Sequence, residues 1–290
     1  MNSLLGTTKR ISRFKYLSPS TLAEAVFALK KYDGKAKLLA GGTDLVPNMK
    51  RRIVAPEYVI DLKSLVELNY VRKVGRELRI GPLTTIFTIG TSAVIRDECP
   101  ALFEATKTFA TVTVRNMATI GGNICRSSPA ADTVPPLMIF DAELKLVGSN
   151  GERRVRLEDF VIGAGLNILD NEILTEIIVP LKDEKSRSGF TKLTRNSSDL
   201  AKINCAARVV GNGNKCGDIK IVLGAVADRP VRAKSVEQTI KGHKIDDELI
   251  ERASREVTKD IAPISDARST AEYRTQISKV LVARLIKQIT

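Results

Sequence analysis

The sequence predicts an α+β fold: a small α/β unit, a mixed α+β unit, and a C-terminal domain of a small antiparallel sheet and helices. An amphipathic helical pattern beside a short apolar strand opens the chain, short strands with turn signals fill its middle, and helical periodicity closes it. With 290 residues and 43% hydrophobic content, a substantial core and more than one domain are expected. We place the domains at residues 1–62, 63–181 and 187–290, with the charged stretch 182–187 as a linker.

The N-terminal unit is predicted to begin with a helix. Thr21 and Glu24 have the spacing of a capping box, and apolar residues recur behind them at helical intervals until residues 33–34. Residues 36–40 form a short apolar strand that runs directly into two glycines, and residues 58–62 form a second strand. Together these elements indicate a small α/β unit.

The middle unit is predicted from short strands and turns. Residues 78–83 are typical of a strand followed by a turn, and residues 173–179 of another strand. Residues 142–147 and 153–157 flank an Asn-Gly turn at 150–151, which predicts a hairpin. This order favours a mixed α+β unit over repeated βαβ units.

The C-terminal domain is predicted to combine paired strands with helices. Residues 206–210 and 219–226 are expected to pair across a turn at 211–214. Residues 234–290 are mostly helical in pattern and end in an amphipathic helix around 277–289.

The charge distribution argues against nucleic acid as a partner. The chain carries a formal net charge of +13, but its basic residues do not form one block, aromatic residues make up only 4%, and there is no tryptophan. Proteins that bind nucleic acid commonly interleave aromatic side chains with a basic face. We therefore interpret the charge as a basic surface that complements an acidic subunit or an anionic cofactor.

Compartment and metal content are predicted from what the sequence lacks. No apolar run reaches the roughly 18 residues of a membrane helix, so no membrane insertion is expected. The polar start at residues 1–13 does not resemble a secretory signal, and the four cysteines are scattered without a CxxC pair, so we expect a cytoplasmic protein with buried or half-buried thiols. The single histidine, His243, lies in a predicted turn, so we expect no metal site and no Ser-His-Asp triad.

Two glycine pairs are the candidate binding features. Gly41 and Gly42 follow the first predicted strand and precede a hydroxyl and a carboxylate residue. Adjacent glycines let several backbone N–H groups point at one anion, such as a pyrophosphate, although a simple tight turn has the same pattern. Gly121 and Gly122 precede Asn123 and equally suit a bulge or a close crossing of two backbones. Neither pair has Rossmann or P-loop spacing.

Considered together, the two glycine segments carry a family resemblance. AGGTD at 40–44 and RNMATIGGN at 115–123 resemble the two flavin-phosphate loops of the FAD-binding, medium-sized subunits of the molybdenum hydroxylases, which include xanthine dehydrogenase, carbon monoxide dehydrogenase and aldehyde oxidoreductase. The likeness continues through SPAAD at 128–132, EIL at 172–174 and DLAK at 199–202. It spans nearly the whole chain in the same order.

The resemblance implies a two-subdomain FAD-binding fold, with the cofactor extended between the first two units and its pyrophosphate against both glycine loops. The residues that would contact it are Leu39, Ala40, Gly41, Gly42, Thr43, Asp44, Leu45, Phe109, Ala118, Thr119, Gly121, Gly122, Asn123, Asp132, Ile173, Leu174 and Lys202.

Five of these residues are implied to have individual roles, each with a structural alternative. Asp132 would accept hydrogen bonds from ribityl or ribose hydroxyls, or else cap a helix at 133–139. Phe109 would lie against the adenine, or else belong to the core. Ile173 and Leu174 would bound the isoalloxazine pocket, or simply be strand residues. Lys202 would stabilise anionic reduced flavin, or else be a solvated surface lysine.

The function implied by the resemblance is electron transfer. A small partner subunit with two [2Fe–2S] clusters would supply electrons, a large molybdopterin subunit would perform the substrate chemistry, and NAD, a quinone or oxygen would accept the electrons. The resemblance further implies a dimer of heterotrimers and no catalytic residue in this chain. Some relatives carry an iron–sulfur cluster in a cysteine-rich insert after the second glycine loop, and because no such insert follows Cys125, we expect no iron here.

Two alternative functions stay open at the level of sequence. A stand-alone flavin oxidase of the wider superfamily often links FAD to a histidine and carries a large substrate cap, and neither feature is evident near the loops. A basic nucleic-acid-binding protein would account for the net charge but for neither glycine pair.

Overall fold

A computed structural model describes residues 11–181, 186–212 and 215–290. In these ranges no helix is both long enough and apolar enough to cross a membrane. The strands are β1 (Lys15–Leu17), β2 (Ala36–Leu39), β3 (Tyr58–Asp61), β4 (Val71–Val74), β5 (Glu77–Ile80), β6 (Glu143–Gly148), β7 (Gly151–Arg156), β8 (Val161–Gly163), β9 (Leu166–Asn167), β10 (Glu172–Pro180), β11 (Ser186–Leu193), β12 (Ile203–Asn212), β13 (Lys215–Gly224) and β14 (Val231–Arg232). The α-helices are α1 (Leu22–Lys31), α2 (Leu45–Lys50), α3 (Ile86–Thr91), α4 (Ala93–Glu98), α5 (Pro100–Lys107), α6 (Val112–Met117), α7 (Ile120–Cys125), α8 (Val134–Ile139), α9 (Leu157–Phe160), α10 (Lys234–Ile240), α11 (Asp247–Glu256) and α12 (Ala271–Ile289).

The N-terminal unit is a parallel three-stranded sheet, in the order β1-β3-β2, covered by α1. The predicted helix start is confirmed, because the Thr21 hydroxyl accepts the Glu24 N–H at 3.2 Å. The Glu24 carboxylate reaches back one residue further than the usual capping box and accepts the Ser20 N–H at 2.8 Å. Since the carboxyl ends of parallel strands share one edge, β2 delivers the first glycine pair to the edge where Asp61 ends β3.

The middle unit is a five-stranded antiparallel sheet, in the order β4-β5-β10-β6-β7, with helices packed on one face. The predicted α+β class, the hairpin β6–β7 and the strand β10 are confirmed. The helices α3–α7 were not predicted from the sequence. They are six to eight residues long, which is too short for a periodic apolar pattern to develop. Their hydroxyl N-caps at Thr85, Ser92, Thr111 and Thr119 were the available signal.

The C-terminal unit is a four-stranded antiparallel sheet, in the order β11-β12-β13-β14, covered by α10, α11 and α12. The predicted pairing of β12 with β13 is confirmed. The final helix begins at Ala271, earlier than predicted, because the Thr270 hydroxyl caps it by accepting the Tyr273 N–H at 3.2 Å. Ser186 and Arg187, assigned to the linker, instead begin β11. Residues 182–185 of that linker and 213–214 of the predicted turn lie outside the described residues.

The middle and C-terminal units share a hydrophobic core. Helix α5 packs on β11, and α8 packs on β12 and β13. Phe190, Ala206 and Val222 of the C-terminal sheet belong to the same buried cluster as the core of the middle unit. An ion pair between Lys220 and Asp141 crosses the same boundary. The second glycine segment and Asp132 therefore stand on a scaffold built from both units.

Candidate functional site

The two glycine segments lie in direct contact. A β-carbon placed on Gly41 would lie 1.9 Å from the carbonyl oxygen of Met117 and 3.1 Å from the α-carbon of Ala118. Only glycine permits this approach, because real β-carbons do not come within 3.0 Å of a backbone atom. The first segment belongs to the N-terminal unit and the second to the middle unit, so the contact joins two parts of the fold.

The first segment presents a row of backbone donors to solvent. Gly42 has a φ of +73°, which turns the chain sharply after β2. The N–H groups of Gly41 to Leu45 find no acceptor among the residues that the structure describes, whereas the next one, on Val46, donates to the Gly42 carbonyl at 3.0 Å. These residues are half-exposed or exposed, so an anion can reach them. Successive free N–H groups in such a turn form an anion-binding concavity.

The second segment is a helix start rather than a loop, which corrects the sequence analysis. Thr119 is the N-cap of α7, and its hydroxyl accepts the Gly122 N–H at 3.1 Å. The backbone donors of residues 120–123 are therefore all engaged within the protein. The remaining bonds are Ile120 N–H to the Thr84 carbonyl at 3.0 Å, Gly121 N–H to the Pro82 carbonyl at 2.9 Å, and Asn123 N–H to the Thr119 carbonyl at 3.0 Å.

Side chains are what the second segment can offer to a ligand. The Asn123 side-chain oxygen accepts the Thr133 hydroxyl at 2.7 Å, which fixes the amide and leaves its NH₂ group as a donor. The Thr119 hydroxyl already accepts a hydrogen bond, so its own proton is what it can donate. This set differs from the first segment, where the backbone supplies the donors.

The two glycines of the second segment serve different purposes. A β-carbon on Gly121 would lie 2.5 Å from the Pro82 β-carbon and 2.8 Å from its carbonyl oxygen, so Gly121 is required by packing. A β-carbon on Gly122 would meet only the Thr119 hydroxyl, at 3.0 Å. Gly122 therefore leaves an otherwise open face beside the Thr119 side chain.

An ion pair also joins the two segments. The Arg126 Nε lies 2.8 Å from a carboxylate oxygen of Asp44, which also accepts the Asn48 side-chain amide at 3.1 Å. Arg126 follows α7 directly as its C-cap. Arg126 was not predicted as a site residue, because its pairing with Asp44 crosses between units and no local sequence pattern indicates it.

Asp132 is buried and held from both sides. One carboxylate oxygen lies 2.6 Å from the Lys192 Nζ, and the other accepts the Asn204 side-chain amide at 2.9 Å. Lys192 also donates to the Thr108 carbonyl at 3.1 Å. Burial raises the pKa of Asp132, and the contacts with Lys192 and Asn204 oppose that rise. The helix-cap alternative is wrong, because Thr133 is the N-cap of α8 and no side chain caps it.

Five other predicted contact residues lie in or beside the hydrophobic cores. Phe109, with 9% of its surface exposed, lies in the core of the middle unit, and Arg115 holds its carbonyl at 2.7 Å. Ile173 and Leu174 are neighbours on β10 that pack into different cores, Ile173 into that of the N-terminal unit and Leu174 into that of the middle unit. Leu39 and Ala40 are half-buried at the end of β2.

Lys202 lies on the C-terminal unit. Its Nζ is 5.6 Å from the centre of the Tyr273 ring, and the neighbouring Ala201 carbonyl accepts an Arg268 N–H at 3.4 Å. Arg268 and Arg274 both pair with Asp266, and Arg274 is almost completely buried. This charge cluster anchors the segment that contains Lys202.

The expected character of the cysteines is confirmed. Cys99, Cys205 and Cys216 are buried and Cys125 is half-buried, all as free thiols. Burial raises the pKa of Cys99 and of Cys125 to about 12, so both stay protonated at neutral pH. Within the described ranges, no three His, Cys, Asp or Glu side chains come together in a way that could hold a metal ion.

Comparison with known proteins covers nearly the whole chain. Residues 12–182 match the family described as the FAD binding domain in molybdopterin dehydrogenase, and residues 188–289 match the CO dehydrogenase flavoprotein C-terminal domain. The glyceraldehyde dehydrogenase medium chain of Sulfolobus acidocaldarius is 34% identical over 277 residues, which cover 95% of this chain and 98% of that one. The xanthine dehydrogenase FAD-binding subunit of Escherichia coli O157:H7 is 31% identical over 278 residues, 94% of each chain.

A solved structure agrees with these sequence matches. A chain of carbon monoxide dehydrogenase from Hydrogenophaga pseudoflava, in a form lacking the Mo-pyranopterin moiety of its molybdenum cofactor, superposes with a TM-score of 0.94. The two chains are 32% identical, and the match covers 97% of this chain and 98% of the other. The protein therefore belongs to the family of FAD-binding medium subunits of the molybdenum hydroxylases and is the flavoprotein component of an oxidoreductase.

Proposed function

We propose that this chain takes electrons from a [2Fe–2S] subunit and passes them to an external acceptor such as NAD, a quinone or oxygen. The observation that carries the proposal is the row of N–H groups from Gly41 to Leu45, which find no acceptor in the described part of the chain and belong to a segment that contacts the one containing Thr119 and Asn123. Such a set fits a pyrophosphate, because neutral donors from two sides can hold a dianion without a buried lysine. Bound FAD would supply the ability to take up two electrons and release them singly.

The proposed binding roles follow from the hydrogen-bond donors that are not already used within the protein. The first segment would hold the phosphates through its backbone, with the Thr43 hydroxyl added. Thr119 and Asn123 would donate from the opposite side, with Ala118, Gly121 and Gly122 shaping the surface between them. Gly42 sets the turn of the first segment, and Gly41 permits its close approach to the second.

For the remaining residues we propose contacts with FAD in addition to the structural contacts described above. Asp132 would accept sugar-chain hydroxyls, since each carboxylate oxygen keeps a lone pair beyond its contact with Lys192 or Asn204. Ile173 and Leu174 would bound the flavin ring, and Phe109 the adenine. Lys202 would place its positive charge near the ring edge and favour anionic reduced flavin.

The assembly is proposed from the relatives. The matched proteins are medium chains or subunits by name, and the carbon monoxide dehydrogenase of Hydrogenophaga pseudoflava is an enzyme with a molybdenum cofactor. We propose a small iron–sulfur subunit and a large molybdopterin subunit as partners, in a dimer of heterotrimers, and the net charge of +13 suits acidic partner surfaces. The cytoplasm is the proposed compartment. We keep the domains at 1–62, 63–181 and 187–290 as a proposal: each has a sheet of its own and a main buried cluster, although the core of the middle unit also takes in Phe190, Ala206 and Val222 of the C-terminal unit.

The stand-alone oxidase is the weaker alternative. Such an enzyme needs a substrate pocket of its own, and the C-terminal unit consists of one small sheet and three helices packed on it. Turnover of a small substrate with oxygen by the isolated chain would favour the oxidase and contradict the electron-transfer proposal.

An absorbance spectrum of the purified full-length chain tests the proposal first. Flavin bands, with FAD released on heating in a one-to-one ratio to protein, are expected. Anaerobic reduction of that flavin by a reduced iron–sulfur partner, without added organic substrate, would then test the electron route. A folded, colourless chain that does not take up added FAD would overturn the proposal.

A further inference from the structure

The ion pair between Asp44 and Arg126 connects the two glycine segments at their solvent side. The 2.8 Å contact joins the N-cap of α2 to the C-cap of α7, and both side chains are about half exposed, at 55% for Asp44 and 47% for Arg126. The two segments are therefore joined by an ion pair as well as by the close backbone contact of Gly41 with Met117.

Arg126 is also held in position by contacts other than Asp44. Its backbone N–H donates to the Gly122 carbonyl at 3.0 Å. A β-carbon on Gly165, in the turn between β8 and β9, would come within 3.2 Å of the Arg126 Nη1. That turn is fixed to the end of α7 by the bond from the Gly165 N–H to the Ser127 carbonyl at 2.8 Å. The guanidinium therefore lies between the β8–β9 turn and Asp44.

The charge of the Asp44 side chain bears on how well the first segment could hold an anion. The Asp44 backbone N–H belongs to the row of donors that find no acceptor among the described residues, so its carboxylate sits on a residue that would help hold a dianion. A negative carboxylate next to phosphate groups opposes binding by Coulomb repulsion. Arg115, the arginine at the start of the second segment, is turned toward the Phe109 and Ala110 carbonyls, at 2.7 and 2.9 Å. Arg126 is the arginine that contacts Asp44.

We propose that Asp44 and Arg126 form an ionic clasp that closes the two glycine segments over the cofactor's pyrophosphate and slows the release of FAD. The clasp rests on the proposed function. Arg126 is a positioning residue in it, because it acts by neutralising Asp44 and by holding the first segment against the second. With its charge neutralised by Arg126, the Asp44 carboxylate can lie beside the phosphates without repelling them.

Release of FAD from the full-length protein tests the clasp. Flavin fluorescence after dilution gives the dissociation rate at low and at high salt. R126Q should release FAD about fivefold faster at low salt, the upper range for a half-exposed ion pair, and the difference should shrink at high salt. D44N combined with R126Q should recover part of the loss, because the repelling carboxylate is gone although the tie between the segments stays broken. R126K, which keeps the charge, should stay close to the wild type.

The matched control is R96Q. Arg96 makes an ion pair of similar length, with its Nε 2.9 Å from Asp97, and both side chains are exposed, at 59% and 62%. R96Q should release FAD at the wild-type rate. Thermal unfolding of the FAD-free variants checks that each one folds.

The outcomes separate the clasp from the function on which it rests. A wild-type chain that holds no FAD removes the proposed function. A wild type that holds FAD, with R126Q equal to it at low salt or with the double variant no better than R126Q, removes the clasp alone. Should R126Q not fold, salt must accelerate FAD release from the wild type more than from D44N, and equal acceleration overturns the clasp.

Discussion

Gly41 and Met117 approach so closely that a β-carbon on Gly41 would lie 1.9 Å from the Met117 carbonyl oxygen. The two residues belong to different units of the fold, and their contact sets the spacing of the two glycine segments. The φ of Gly41 is not in the left-handed region, so the need for glycine here is a need for space.

Replacing Gly41 by alanine should therefore separate the two segments. We expect G41A to lose about 1–3 kcal/mol of unfolding free energy through overpacking and to lose most of its bound FAD. Flavin content and thermal unfolding measure the two effects. The control is G34A: Gly34 has a φ of +69° but open space around its β-carbon position, so it should lose stability only through backbone strain and should keep FAD. Full flavin content in G41A would contradict this account of the contact.

The two glycines of the second segment should respond differently to alanine. G121A would collide with Pro82 at 2.5 Å and should destabilise the FAD-free protein. G122A would meet only the Thr119 hydroxyl at 3.0 Å, so it should fold nearly as well as the wild type and bind FAD more weakly. Urea unfolding without FAD and FAD titration separate the two. Equal loss of FAD-free stability in both variants would show that Gly122 is a packing glycine as well.

Thr119 should contribute to both stability and binding through one hydroxyl. T119V removes the acceptor for the Gly122 N–H, which should cost about 1 kcal/mol as a lost helix cap, and also removes a donor for the cofactor. T119S keeps the hydroxyl and should retain both properties. FAD affinity and unfolding free energy, measured on both variants, check this. A T119V chain with unchanged affinity would remove Thr119 from the binding set.

The Asp266 cluster should control stability in acid. Burial by itself raises the pKa of Asp266, but hydrogen bonds from Arg268 and Arg274 outweigh it and hold that pKa below its ordinary value of 3.8. Because the folded pKa is the lower one, the contribution of the carboxylate is complete above the ordinary pKa and is lost as pH falls through the folded value.

Substituting Asp266 by asparagine should flatten the acid decline. D266N also leaves the buried Arg274 without its carboxylate, which should cost about 3–5 kcal/mol at neutral pH. Unfolding free energy measured from pH 7 downward gives both effects, and D97N, at an exposed ion pair, is the control. If D266N declined in acid as steeply as the wild type, other carboxylates would account for the acid limb.

The elements that were predicted correctly from the sequence are mainly those stabilised by contacts between residues close in the chain. Thr21 with Glu24 marked a helix start and the Asn-Gly turn at 150–151 marked a hairpin, and both involve contacts between residues close in sequence. The strand before Gly41 and Gly42 was marked by its apolar residues, although its partner, β3, lies further along the chain. The partners of Asp132 could not be read in this way, because Lys192 is 60 positions away and Asn204 is 72. The same holds for Arg126, whose partner Asp44 belongs to another unit.

The second glycine segment was misread for a related reason. Gly121 and Gly122 suggested a loop, but the Thr119 cap and the Pro82 and Thr84 carbonyls draw its backbone into a helix. Those carbonyls come from the chain before α3, so the conformation depends on tertiary contacts that the local sequence does not specify.

The buried pair of Asp132 and Lys192 bears on how this polypeptide can be engineered. The two matched family regions meet near residues 181–186, so the chain could be divided there into two fragments for separate expression. Each fragment would then carry an unpaired charge on a surface that is buried in the intact protein. Separately expressed halves should therefore aggregate unless they meet, whereas a chain nicked at that point should stay together and keep its shape.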